Sequence, residues 1–137
     1  MPVVSELIRI EDDGTISFGD YGLAVKSKLQ DFEYQGDLYK VKTYREITKL
    51  ERNGMFVYES VPGTTVGHFC ADELSMEFEV EGEQDAQITV QLEEDREYEV
   101  FVDGASVGGM TTNVSGKLAL SVELTPGKAT RIRIQGR

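Results

Sequence analysis

The feature that most constrains this chain is the two-residue alternation of apolar side chains that runs through Tyr98 to Leu124. Tyr98, Val100 and Val102 are spaced two apart, and Leu118, Leu120, Val122 and Leu124 alternate with Lys117, Ala119, Ser121 and Glu123. Successive side chains of an extended chain point to opposite faces, so this period specifies a sheet with one buried and one wet face. Glycine-containing turns, Asp103-Gly104 among them, divide the stretch into three or four antiparallel strands. The same period recurs in Met76, Phe78 and Val80 against Glu77, Glu79 and Glu81, in Ile88, Val90 and Leu92, and in Ile132 and Ile134. Strands separated by turn signals at this density predict a small antiparallel, Ig-like β-sandwich over residues 63–137.

Residues 1–62 read as a β-rich subdomain with one short helix, divided from the sandwich at Pro62-Gly63. Asp12-Asp13-Gly14 and Gln35-Gly36-Asp37 each join two short strands, and Tyr21–Asp31 leans to a strand by its alternation, although Tyr21, Val25, Leu29 and Phe32 also fall at helical spacing. Thr43-Tyr44-Arg45-Glu46 matches a capping box, Tyr44, Ile47 and Leu50 fall on one helical stripe, and Asn53-Gly54 supplies a left-handed stop. These signals predict a two-turn helix. Met55–Ser60 predicts a strand buried on both faces. The fold class expected is therefore all-β with one short helix.

Charge narrows the partners. The 137 residues hold 25 acids against 14 bases, a net charge of -11, and twelve acids against Arg96 alone lie between Asp72 and Glu99. Nucleic acid and anionic membranes both require a basic face, so neither is expected as a partner. The single cysteine, Cys70, excludes an internal disulfide framework. The first residues carry no basic, apolar and cleavage-site pattern of a signal peptide, and a cytoplasmic location is expected.

Catalytic motifs are absent: no nucleophile elbow, no phosphate-binding glycine loop, no paired zinc histidines. His68, the one histidine, lies two residues from Cys70, but a closed zinc site needs a second pair. Glu93-Glu94-Asp95 and Asp12-Asp13 lack the spacing of a calcium loop and read as solvated turns. No metal, cofactor or catalytic residue is assigned. Glu77, Glu79 and Glu81 line one face and repel unless a neighbouring strand presents Arg131 and Arg133; otherwise they mark a charged edge strand. Four of six tyrosines, Tyr34, Tyr39, Tyr44 and Tyr58, cluster within 25 residues. Tyrosines on a sheet anchor protein interfaces or stack on sugar rings, which makes these four the candidate partner- or ligand-binding residues.

The segment from Tyr98 to Ile134, with Tyr-x-Val-x-Val-Asp-Gly followed by Gly116-Lys117-Leu118 and Ser121-Val122-Glu123-Leu124, is similar to accessory β-sandwiches that trail carbohydrate-active enzymes. The whole chain, especially Gly36–Thr64, resembles short proteins of gut Firmicutes, some labelled endosialidase. The chain has no tryptophan, no Asp-box and too little length for a sialidase propeller, so the resemblance brings no catalytic residue. The reading that results is a non-enzymatic interaction or assembly protein that pairs with a protein partner or with itself. The alternative is a carbohydrate-binding module using the four tyrosines.

Overall fold

A computed structural model describes residues 3–137, and it is all-β. Two antiparallel sheets pack face to face as a sandwich. One has seven strands in the order β1-β2-β7-β8-β13-β10-β11, the other six in the order β12-β9-β6-β5-β4-β3. In chain order the strands are β1 (Ile8–Ile10), β2 (Ile16–Phe18), β3 (Ser27–Tyr34), β4 (Asp37–Tyr44), β5 (Ile47–Arg52), β6 (Met55–Val61) and β7 (Thr65–Ala71). They continue as β8 (Ser75–Glu81), β9 (Ala86–Gln91), β10 (Glu97–Val102), β11 (Ala105–Thr111), β12 (Lys117–Val122) and β13 (Thr130–Gly136). Among the described residues there is no helix, so none is long and apolar enough to cross a membrane.

The segment predicted as a helix is instead a hairpin. Asn53 and Gly54, at φ of 51° and 78°, form the tight turn that pairs Arg52 with Met55. Both central residues of such a turn need positive φ, which is why Asn-Gly outcompetes the helix stop here. The alternation of β5 was disguised by inverted polarity. Thr48 and Leu50 point inward, while Ile47, Lys49 and Glu51 point outward. Thr48 faces the core because its hydroxyl is hydrogen-bonded there, and a polar inward residue erases the expected pattern.

Three further expectations change. Residues 21–26 are turn and bend rather than strand, with Val25 exposed. β6 is not buried on both faces: Met55 and Val61 lie in solvent while Tyr58 and Ser60 are fully buried. A register shift opposite Leu50/Glu51 makes Val57 an extra residue on β6, so its side chains lose the simple alternation. Lastly, the segments on either side of Pro62 each contribute to both sheets. β6 pairs with β9, and β2 pairs with β7, so residues 63–137 complete a sandwich only with the strands before them.

One apolar core fills the space between the sheets. Its centre is an aromatic cluster drawn from both sheets: Phe18 and Tyr58 meet edge-on at 5.4 Å, Tyr58 and Phe78 at 5.6 Å, and Phe69 stacks on Phe78 at 5.9 Å. Beside it lies a fully buried polar knot. The Thr64 hydroxyl shares hydrogen bonds of 2.8 Å with those of Tyr58 and Ser60, and Thr48 donates to the Thr64 carbonyl at 2.7 Å. Thr48 also meets the Thr43 hydroxyl at 2.8 Å, which accepts the Asp20 amide at 2.9 Å.

The acidic strand finds the neighbour expected of it. β8 lies inside the sheet, with Glu79 opposite Arg131 and Glu77 opposite Arg133. Arg131 bridges both carboxylates at 3.2 and 3.4 Å, while Arg133 lies over the Phe101 ring at 4.3 Å. The charged-edge alternative does not apply to β8.

Gly63 reports how tightly the knot is closed. A Cβ there would lie 2.0 Å from the Tyr44 carbonyl oxygen, which is backbone and cannot swing away, whereas a Cβ on Gly54 would meet nothing. Gly63→Ala is expected to destabilise by about 3 kcal/mol, from forced backbone displacement. Gly54→Ala is expected to cost about 1 kcal/mol, from its positive φ alone. Urea unfolding of the two variants checks the order; equal losses would contradict the packing described.

Candidate functional site

At one end of the sandwich the β3–β4, β5–β6 and β7–β8 turns and the β9–β10 loop surround a cleft of about 500 Å³ between the sheets. Its floor is apolar and buried, made by Phe69, Met76 and Tyr98. Tyr34 and Tyr39 stand on one wall with ring centroids 5.7 Å apart at 63°, an edge-on pair. The Tyr34 hydroxyl donates to the Gly14 carbonyl at 2.6 Å, which ties β3 to the β1–β2 turn. Burial lifts the Tyr34 phenol above its ordinary pKa, with the nearby Cys70, Tyr39 and Asp13 adding to the rise.

The rim is mostly acidic. Asp37, Asp72, Glu73 and Glu93 face a single base, Arg52. Three of these carboxylates are held in place. Asn53 donates to Asp37 at 2.9 Å, and Arg96 reaches Glu93 at 2.9 Å. Asp72 accepts the amides of Leu74 and Ser75, each at 2.8 Å, and those bonds pull its pKa below the usual carboxylate range. Tyr39 is itself buried, so the half-buried Tyr34 is the wall's accessible aromatic. With the ordered hydrogen-bond acceptors of the rim it can hold a hydroxylated ring by stacking and directed hydrogen bonds.

Of the four tyrosines singled out in the sequence, the structure therefore brings two together. Tyr58 is a core residue with no exposed surface, and burial raises its phenol far above normal. Tyr44 lies at the β4–β5 turn and donates to Glu46 at 2.8 Å. Sequence proximity grouped them, but β4, β5 and β6 run antiparallel and carry Tyr44 to the end opposite Tyr34. The remaining contributors to the cleft, Phe69, Met76, Gln91 and Tyr98, come from distant segments and carry no local signal.

His68 does not join Cys70 in a site. At φ of 51° it interrupts the β7–β8 register and turns toward the β1–β2 hairpin, where Nδ1 lies 2.9 Å from Asp13 and 3.2 Å from the Thr15 hydroxyl. The Thr15 hydroxyl and amide, then His68, hold the Asp13 carboxyl down at about 2. Among the described residues no group of three or more His, Cys, Asp or Glu side chains is placed to hold a metal ion.

The lateral sides of the sandwich differ. On one side β1 has three residues, and the edge of β3 carries Lys28, Asp31 and Glu33 and is broken by a register shift. Such features keep an edge from pairing with another chain. On the other side β11 and β12, consecutive in the chain, end the two sheets. Between Asp103 and Glu123 there is no acid and Lys117 is the one charge, the longest acid-free run in a chain with 25 acids. β11 is irregular where Val107 bulges out, but β12 pairs with β9 in unbroken register from Lys117 to Val122. Its outward residues Ala119 and Ser121 are small and exposed. That gap in acid spacing was the sequence signal for this edge.

Compared with known proteins, the chain matches no family model, no curated protein and no solved structure.

Proposed function

We propose that this chain is a non-enzymatic interaction and assembly protein that self-associates by pairing β12 with β12 of a second copy. The observation that carries the reading is the unguarded, regular and nearly uncharged edge in a chain that charges or breaks the edge opposite. An edge strand presents a row of backbone donors and acceptors that another strand satisfies directly. Antiparallel pairing about a two-fold axis is closed, so it stops at a dimer and joins two six-stranded sheets into one. The centre of the contact falls near Ala119, where small side chains let the strands approach, and Lys117 of each copy lies toward the far end of its partner.

Light scattering over a concentration series should show the mass rising from one chain to two. Ala119→Glu places like charges near the axis and should hold the protein monomeric with its melting temperature in dilute solution unchanged. A monomer at millimolar wild-type concentration would sink the proposal, as would an Ala119→Glu protein that dimerises equally well.

A second reading, a carbohydrate-binding module, is supported by the Tyr34–Tyr39 wall and the ordered acceptors of the cleft rim. Titrating neutral oligosaccharides into labelled protein should then shift the amide resonances of Tyr34, Gln91 and Glu93 together. Unmoved resonances across a broad sugar panel would remove this reading and leave the first intact.

A further inference from the structure

The outer face of the six-stranded sheet carries a charge arrangement unlike any other on the molecule. Lys28 lies directly opposite Lys42 on β4, and Lys42 lies directly opposite Lys49 on β5. Neighbouring strands are about 4.8 Å apart, so three ammonium-bearing side chains stand in a row across about 10 Å. Lys40, two residues from Lys42, projects from the same face. These four lysines and Glu51 wall a depression of about 150 Å³. Lys49 pairs with Glu51 at 3.4 Å, while among the described residues Lys28, Lys40 and Lys42 make no ion pair.

Like charges directly opposite one another in a sheet are destabilising. The other sheet avoids this cost by setting Glu77 and Glu79 against Arg131 and Arg133. Here a chain with 25 acids leaves four bases converging on one hollow with one carboxylate among them. Glu51 opposite Lys40 and Glu59 opposite Lys49 offset part of this charge, but Lys28 and Lys42 face each other with no acid opposite either. The net positive hollow that results on an acidic protein is complementary to an anion. We propose that this depression is a binding site for a tetrahedral oxyanion group, a phosphoryl or sulfo group borne by a ligand. Each ammonium offers three donors without a fixed plane, which suits a compact, multiply charged oxyanion better than a flat carboxylate. The hollow lies on the outer face of the sheet, apart from both the inter-sheet cleft and the β12 edge, so the proposal stands independently of either.

The test uses the whole chain, with inorganic pyrophosphate, sulfate, acetate and chloride at matched ionic strength as probes. Calorimetry should detect pyrophosphate or sulfate binding, and either should raise the melting temperature more than chloride does. The preferred anion distinguishes a phosphorylated from a sulfated ligand. The variant K42Q/K49Q should lose at least tenfold in that affinity. It should also melt no lower than wild type at low salt, because neutralising the centre of the row relieves repulsion. Equal effects of all four anions would mean that only screening occurs and would overturn the proposal. Undiminished pyrophosphate and sulfate binding by K42Q/K49Q would do the same.

Discussion

The structure depends on a small hydrogen-bonded knot around Thr64. Its hydroxyl, carbonyl and amide reach Tyr58, Ser60 and Thr48, and through Thr48 the chain continues to Thr43 and the Asp20 amide. Thr43, Thr48, Ser60 and Thr64 have no exposed surface. A buried hydroxyl without a partner costs about 1–3 kcal/mol, so each member requires the others to be in place. The knot ties three strands of one sheet to the connection entering β7 of the other. Next to it, Phe18, Tyr58, Phe69 and Phe78 interlock across the sheets. Together these contacts make the strands before and after Pro62 parts of one packed unit.

That dependence explains which parts of the fold were legible. Strands with an apolar inward triplet or pair at two-residue spacing, such as β8, β9, β12 and β13, announced themselves by period. The charge pairing between β8 and β13 was one of two arrangements open from the sequence, the other being a charged edge, and the register of β8 with β13 decides for it. Of the strands that build the knot, β6 and most of β4 were expected as strands, but β5 was not: Thr43 mimicked a helix cap and Thr48 broke the alternation of β5. Tyr58, read as a binding residue, is the knot's largest member. The interleaving of the two halves was illegible because no local pattern shows that β6 pairs with β9 rather than with a strand nearer in sequence.

The same logic governs the surface. Tyr34 and Tyr39 were legible as a pair because they flank one hairpin, but the floor of their cleft is assembled from β7, β8 and β10 by the topology. The acid-free run between Asp103 and Glu123 was visible in the sequence. Its meaning emerged only once β11 and β12 were seen to end both sheets on one side. Lysines at 28, 42 and 49 are likewise far apart in the chain and adjacent only through register. Across the molecule, charge is paired between β8 and β13 and in positive excess at the lysine hollow, while the β12 edge carries almost none.

The central claim is that the two halves of the chain form one cooperative unit held by the Thr64 knot and the aromatic cluster. Native-state hydrogen exchange tests it most directly. The slowest amides of β4, β5 and β6 should open with the same free energy as those of β8, β9 and β13, and that value should equal the global unfolding free energy. Opening of β4–β6 at a lower free energy, with residues 63–137 still protected, would contradict it.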